Sequence, residues 1–302
     1  MFKGIAVPAE KQDKCWLCGS TQIRDLYQVN GFTLTRCGEC SLRFIRELAD
    51  DAYLKELYTF MPGQENGEKR EYLKIYLDPA NETNLKYSFR ILAGKVRRRF
   101  KPFGGEVPLK LLDLGCSIGA LLDFFPDWDV YGIEIEETMG NIAKQKHKNI
   151  VIGNMKDADF DDNFFDCITI LDALDHTNDP VHVVKNSCRQ LKQNGMIAIK
   201  VHNINCLLAK LTGKRFYAIQ PPAHLTYFSL KTLKQLLAAC GFEYAGHFYD
   251  TQKMPLETAV MRASETFPFL TPVYKALSKT PLGSLPVYKN FHDIITIFGI
   301  KQ

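Results

Sequence analysis

The sequence predicts an α/β protein built on a doubly wound parallel sheet, with a small cysteine-rich ribbon in front of it. Three observations carry this reading. Five short apolar runs, at 109–114, 130–135, 150–152, 167–171 and 196–201, alternate with helical patterns, and such alternation makes a parallel sheet. The first run ends in Asp113 and enters Gly115-Cys116-Ser117-Ile118-Gly119, a turn with small residues at alternate positions, before a new apolar segment begins. A buried strand turning tightly into a helix is where ligands sit in open α/β sheets. The third observation is a pair of C-x2-C motifs near the N-terminus.

Bulk properties narrow the class. The chain has 302 residues, 46% hydrophobic and 24% charged, the composition of an ordinary globular protein with one large domain and one or two small ones. No apolar run approaches the roughly 20 residues of a membrane span. The opening Met1 to Pro8 has too short an apolar part to read as a signal peptide. A formal net charge of +4 is weak for a nucleic-acid binder. Nine cysteines are an odd number, four of them in a separate pattern. Without an export signal they fit a reducing cytoplasm better than a disulfide framework.

Cys15 and Cys18 are answered by Cys37 and Cys40, with eighteen residues between the pairs. Two such knuckles each offer two sulfurs to one ion in a tetrahedral thiolate site. The alternating segments 23–29 and 32–36 between them read as a small hairpin. About 40 residues hardly stabilise themselves through a core, and zinc binding, worth roughly 10–16 kcal/mol in zinc-finger peptides, offsets that deficit. Four cysteine ligands leave no open position for catalysis, so the expected Zn2+ is structural. Iron in a rubredoxin-like site and unrelated reduced thiols are the alternatives. The ribbon is assigned to 1–46 and a helical linker or cap to 47–106.

In the linker, Asp50 and Asp51 open a helix to Tyr58 with one apolar face. Met61-Pro62-Gly63 stops it, and 63–69 reads as a polar loop. A second helix from about Asn84 carries Leu85, Ser88, Phe89 and Leu92 on one face. Its basic end, Lys95, Arg97, Arg98, Arg99 and Lys101, reads as a solvated C-terminus favoured by the helix dipole. Phe103-Gly104-Gly105 leads into the main domain, assigned to 107–302. The helix before the fifth strand has Asp179 as N-cap, Pro180 at its first position, and Val181, Val184, Cys188 and Leu191 as its buried stripe; Asn194-Gly195 closes it. Ser229 caps a helix over 230–240 that ends at Gly241. Residues 242–249 read as a sixth strand and 293–298 as a seventh, with a helical insertion at about 253–290 between them.

The central turn has the spacing D-x-G-x-S-x-G, which does not fit the G-x-G-x-x-G of a dinucleotide fold. It resembles the first motif of class I S-adenosylmethionine-dependent methyltransferases, and the likeness continues in register. Val130-Tyr131-Gly132-Ile133-Glu134 matches that family's second strand, whose terminal acid, here Glu134, takes the two ribose hydroxyls of the cofactor. Gly153-Asn154-Met155 stands where the family places its adenine contacts, with Asn154 in place of the usual Asp. Residues 165–180, which include Asp172, Asp175-His176 and Asp179-Pro180, look like the fourth motif, and 191–195 like the turn after it. The resemblance covers about 109–242. It implies a Rossmann-like seven-stranded sheet whose seventh strand is antiparallel beside the fifth. It also implies S-adenosylmethionine as cofactor, with Asp113, Gly115, Cys116, Ser117, Gly119, Glu134, Asn154, Met155 and Asp172 as its binding residues.

The cysteine-rich head resembles the zinc-binding domain of methyltransferases from sugar, polysaccharide and natural-product pathways. The C-methylating sugar enzymes of that group carry His-Glu-His-Leu-x-Tyr-Phe-Ser after the fifth strand. Here Pro222-Ala223-His224-Leu225-Thr226-Tyr227-Phe228-Ser229 lacks the first His and the Glu, so O- or N-methylation of a small-molecule acceptor is expected. A hydroxyl acceptor must lose its proton as it attacks, and histidine suits that task near neutral pH. His224 and His176 are the candidate general bases, although each also has a reading as a loop-holding residue. Lys214, Arg215, Phe216, Tyr217 and Tyr227 are expected to line or lid the acceptor pocket. His147, His182, His202, His247 and His292 form no comparable constellation. Two other readings stay open: an RNA base methyltransferase with a zinc ribbon, and a non-catalytic cofactor-binding scaffold. Against RNA stand the near-neutral charge and Ser41-Leu42-Arg43-Phe44 after the last ribbon cysteine. The sequence sets no oligomeric state.

Overall fold

The computed structural model describes residues 7–59, 79–100 and 108–302. The expected helix stop at 61–63, the polar loop at 63–69, Lys101 and the lead-in at 103–105 lie outside these residues.

In the ribbon, β1 (Ile23–Val29) and β2 (Phe32–Cys37) form the expected hairpin. Asn30 and Gly31 join them with φ of 53° and 85°, left-handed angles whose twist matches that of the flanking strands. A third strand, β3 (Arg43–Ile45), pairs antiparallel with β2. Next come α1 (Asp51–Thr59) and α2 (Pro79–Phe100). Leu92, Ala93, Val96 and Phe100 of α2 pack against Leu111, Leu121, Leu122 and Trp128. Arg97 at its basic end pairs with Asp127 and donates to the Phe124 carbonyl at 3.0 Å, so this residue of the cluster ties α2 to the sheet domain.

The sheet domain runs β4 (Lys110–Leu114), β5 (Asp129–Glu134), α3 (Glu137–Lys144), β6 (Asn149–Ile152), β7 (Phe165–Leu171), α4 (Pro180–Gln190), β8 (Leu191–His202), α5 (Leu207–Thr212), β9 (Thr226–Tyr227), α6 (Leu230–Ala239) and β10 (Phe242–Tyr249). An excursion follows in which β11 (Gln252–Pro255) and β12 (Pro286–Lys289) pair around α7 (Leu256–Thr266) and α8 (Thr271–Leu277); β13 (Ile294–Lys301) ends the chain. Seven strands make one sheet in the order β10-β13-β8-β7-β4-β5-β6. The ladders from β8 to β6 are parallel, while β13 runs antiparallel between β8 and β10. This is the seven-stranded Rossmann-like sheet the motifs imply. Its central strands are buried on both faces, with Leu111, Leu112, Ile168, Ile170, Ile197 and Ile199 inaccessible, which is why they read as unbroken apolar runs. Among the described residues no helix is long and apolar enough to cross a membrane.

Two local expectations need correction. The apolar segment after Gly119 is not an α-helix but a single 3-10 turn, Leu122–Phe124. Its hydrogen bonds reach back three residues, from Leu122 N to Gly119 O, Phe124 N to Leu121 O and Phe125 N to Leu122 O, each at 3.0 Å, and Pro126 keeps Phe125 out of the helical region. α4 ends at Gln190, so that Leu191 opens β8 and Asn194-Gly195 lie within that strand, and its buried face is Val183, Val184, Ser187 and Gln190. Val181 and Cys188 stand at its edge toward the end of α6, where the Cys240 thiol meets the Val181 carbonyl and the Cys188 thiol that of Gly241, each at 3.7 Å.

The ribbon is joined to the sheet domain by a strand. β9 pairs antiparallel with β3, Phe44 opposite Thr226 and Arg43 opposite Tyr227, and so becomes the fourth strand of the ribbon sheet. Phe32, Leu34 and Ile45 of the ribbon share one core cluster with Ile204, Phe216, Ile219 and Tyr227.

Candidate active site

A cleft open to solvent lies at the C-terminal edge of β4, β5, β6 and β7. Its walls include Gly115, Ser117, Glu134, Asn154, Met155 and Asp172, and His176 stands at one end. Six of the nine residues expected to bind cofactor thus converge on one cavity. The other three sit behind it. Asp113 is 3% exposed and accepts from Thr169 Oγ1 at 2.6 Å. Burial raises its pKa to about 7, against the Thr169 hydrogen bond and with the nearby Glu134 carboxylate. Cys116 is buried with its Sγ against Gly132, where any side chain would collide with it. Gly119 faces His147; a Cβ there would come within 2.8 Å of that ring.

Backbone geometry shapes the wall. Gly115 has φ of +80°, and a Cβ on it would lie 2.7 Å from that of Ala173 on the opposite lip; only glycine meets both conditions. The Gly115 and Cys116 amides both donate to the Ile133 carbonyl, at 2.9 and 3.0 Å, which holds the turn against β5. Ser117 and Asp172 also take left-handed angles, φ 50° and 51°, which place both in tight turns at the cavity wall.

Glu134 is 9% exposed, and its two oxygens accept from the Ser117 and Glu136 amides at 2.8 and 2.9 Å. Burial raises its pKa, opposed by these amides. The Asn154 side-chain oxygen Oδ1 caps the 3-10 turn that follows it by accepting from Lys156 N at 3.0 Å. Asp172 Oδ2 lies 2.7 Å from Lys200 Nζ. Ser117 Oγ and Asp172 Oδ1 are buried without a hydrogen-bond partner, so the cleft presents polar atoms that a polar ligand would satisfy.

Beyond His176 lies a cluster that sequence spacing only half discloses. The rings of His176 and His224 meet edge to face at 4.6 Å, and His202 lies 5.3 Å from His224. Asp175, its side chain 4% exposed, sits among them, with Oδ1 3.8 Å from His176 Nε2 and Oδ2 3.7 Å from His202 Nδ1. Burial pushes His224 down to about 4, with the neighbouring His176 acting in the same direction. Burial would raise Asp175, but the three imidazoles hold it well below the usual carboxylate range. Burial would lower His202, but Asp175 outweighs it and holds that imidazole above its ordinary value. His202 has no partner in sequence spacing, yet it belongs to this cluster. Its place at the end of β8, on the same sheet edge as Asp172, is the available signal.

The expected acceptor wall divides. Phe216 and Tyr227 are 2% and 4% exposed and belong to the core shared with the ribbon, and the Tyr227 hydroxyl donates to the His224 carbonyl at 2.9 Å. Tyr217 packs its ring 5.5 Å from that of His202 and donates to Asp293 at 2.6 Å. Lys214 and Arg215 are exposed.

In the ribbon, Cys15, Cys18, Cys37 and Cys40 bring their sulfurs within 4.8 Å of one another. The Cys15–Cys40 and Cys18–Cys37 contacts are each 3.5 Å. Sulfurs around tetrahedral zinc at about 2.3 Å stand about 3.8 Å apart, so the set fits such an ion. Burial pushes the Cys15 thiol up to about 11. Burial also acts on Cys37, but the Cys40 amide and the Cys18 thiol outweigh it and bring that thiol to about 7.

The profile of a family described as a methyltransferase domain matches residues 85–246. An uncharacterized protein of Methanocaldococcus jannaschii is 22% identical over 249 residues, covering 82% of this chain and 100% of that protein. The demethylmenaquinone methyltransferase of Staphylococcus carnosus is 37% identical over 97 residues, 29% of this chain and 40% of that enzyme. Among solved structures, the YcgJ protein of Bacillus subtilis superposes with a TM-score of 0.52 at 18% identity, covering 72% of this chain and 98% of its own. A chain from the Haloferax volcanii complex of a methyltransferase with its Trm112 activator also gives 0.52, at 14% identity over 82% of this chain and 96% of that one. These two likenesses are of fold.

Proposed function

The chain belongs to the methyltransferase-domain family, and from that premise we propose that it methylates an oxygen or nitrogen of a small-molecule acceptor seated against His176 and His224. The observation that carries this is the cleft itself, which runs from the Glu134 carboxylate to His176 with the His224 ring packed on its far side. Bound S-adenosylmethionine supplies a methyl group already activated on a sulfonium. Glu134 offers two acceptor oxygens to the ribose diol. Asn154 and Met155 would hold the adenine, and the partnerless Ser117 Oγ and Asp172 Oδ1 would meet polar groups of the donor.

The protein's remaining task is to orient the acceptor and let it lose a proton. Orientation for in-line attack accounts for roughly 7–11 kcal/mol of barrier lowering. Proton loss is assigned to the histidine cluster. The Ala218 carbonyl accepts from His224 Nδ1 at 2.5 Å, which leaves the proton-free lone pair on Nε2. The four-cysteine ribbon holds a structural Zn2+ in this reading.

Calorimetry with S-adenosylmethionine and S-adenosylhomocysteine, followed by labelled-methyl transfer to panels of hydroxyl and amine compounds, tests the proposal. We expect both ligands to bind and label to appear on an acceptor oxygen or nitrogen. Label passing to RNA and to none of the small molecules would overturn it.

A further inference from the structure

Asp175, His176 and His224 each present one ligating atom, and the three atoms lie within 4.8 Å of one another, with His176 on the wall of the cleft. We propose that these side chains hold a divalent first-row transition ion, and that the acceptor binds this ion through two adjacent oxygens. The inference rests on the methyl-transfer reading above for the acceptor, but not for the ion.

The geometry points there in three ways. Two donors each about 2.1 Å from one ion stand about 3–4 Å apart, and His176 Nε2 to Asp175 Oδ1 is 3.8 Å. That separation is beyond hydrogen-bond reach, and Asp175 Oδ1 is buried without a hydrogen-bond partner. A buried carboxylate oxygen left so is costly, and an ion between it and the two imidazoles removes the cost. The outer contacts also suit ligation. The Ala218 carbonyl accepts from His224 Nδ1 and so fixes the tautomer of that imidazole, the kind of support that orients metal ligands. Finally, the Leu225 amide donates to the Asp175 carbonyl at 2.8 Å, so the segments carrying His176 and His224 are held to each other by backbone.

Two imidazoles and one carboxylate suit a first-row divalent ion and leave coordination positions open. A vicinal diol or a catechol fills two of them. Ligation lowers the pKa of the acceptor hydroxyl, so its proton leaves to solvent. The acceptor oxygen then forms the bond to the methyl carbon as the carbon–sulfur bond breaks, and both electrons of that bond stay on sulfur. With the ion bound, the lone pairs of His176 and His224 are taken up by ligation, so the ion replaces the imidazoles in the deprotonating role given to them above.

The test is metal counting on the full chain, stripped and then titrated with cobalt(II). We expect two ions per chain. One gives the intense thiolate-to-cobalt absorption of the cysteine site, and the other only the weak bands of nitrogen and oxygen ligation. His224→Gln and Asp175→Asn should each remove the second ion and leave the thiolate band intact, which also shows that the variant has folded. A single ion in the wild-type chain, or a second ion that survives both substitutions, would overturn the proposal. Calorimetry with S-adenosylmethionine separates the two readings, because failure to bind the donor would refute the methyl-transfer reading and leave the ion count standing.

Discussion

The Ile45 amide donates to the Leu225 carbonyl at 2.8 Å, one residue along from His224. The ribbon is therefore part of what positions the segment that carries His224. Asn30 adds a second tie, donating from Nδ2 to the Pro221 carbonyl at 3.0 Å, so the segment with His224 is held by the ribbon at both ends. β3 in turn hangs on the knuckle of Cys37 and Cys40, whose closure is the Cys37 N to Leu42 O bond at 2.8 Å. Cys15→Ser or Cys40→Ser should thus cut turnover at least tenfold while leaving S-adenosylmethionine affinity within about threefold, a difference under about 1 kcal/mol. Steady-state rates beside calorimetry measure both. Equal losses of turnover and donor affinity would mean the ribbon supports the whole domain instead.

At the other end of the cleft, Glu134 accepts two backbone amides, one on each oxygen, and lines the cavity. Glu134→Ala removes the expected ribose partner and leaves the Ser117 and Glu136 amides without theirs. Hydrogen bonds to a charged group are worth about 1.5–3 kcal/mol each. Donor affinity should therefore fall about tenfold or more, with the acceptor KM unchanged. Undiminished affinity by calorimetry would remove Glu134 from the site.

The sheet is legible because a strand buried on both faces is one unbroken apolar run, and five such runs carry their own turn residues. The cleft is legible for a related reason. Gly115, Ser117 and Glu134 sit at strand ends, where position along the chain and position in space coincide. What the sequence hides depends on contacts between distant segments. Thr226 and Tyr227 form a two-residue strand with no periodicity to detect, and their partner is the ribbon. His202 and Lys200 end the longest strand, and only the neighbouring strands bring Asp175, Asp172 and Asp250 beside them. The 3-10 turn at 122–124 reads as a longer helix because Leu121, Leu122, Phe124 and Phe125 are apolar at helical spacing, while Pro126 holds Phe125 out of the helical region and ends the turn.

Lys200 gives the next expectation. It is 5% exposed in the middle of the sheet edge, 2.7 Å from Asp172 and 3.9 Å from Asp250. Asp250 also accepts from Thr296 Oγ1 at 2.8 Å and from Ser88 Oγ of α2 at 2.9 Å. Burial would pull Lys200 down, but the two carboxylates outweigh it and hold the ammonium charged. Lys200→Met leaves Asp250 buried without its cation, and breaking a buried pair in this way costs about 3–5 kcal/mol. Urea unfolding should show that loss, and adding Asp250→Asn should return part of it. A Lys200→Met variant as stable as the wild type would mean that the carboxylates are already neutral.

Asp113 makes a claim about pH with a definite sign. Its folded pKa of about 7 lies above the ordinary aspartate value, chiefly through burial. Between roughly pH 4 and 7 the folded chain then holds a proton that the unfolded chain has lost. The group's contribution is therefore most favourable below pH 4 and is lost as pH rises through 7. Asp113→Asn keeps an oxygen for the Thr169 hydroxyl, which donates at 2.6 Å, and carries no charge at any pH. Relative to the wild type, this variant should gain stability across that window by a few kcal/mol, since each tenfold change in proton affinity corresponds to about 1.4 kcal/mol. The difference should level off above pH 7. Urea midpoints for the two proteins at pH 5, 6, 7 and 8 give the comparison directly. Because Asp113 stands behind the cleft wall, donor affinity at pH 6 should be nearly the same in both. Parallel stability curves would show that Asp113 is ionised throughout, held so by Thr169 in spite of its burial.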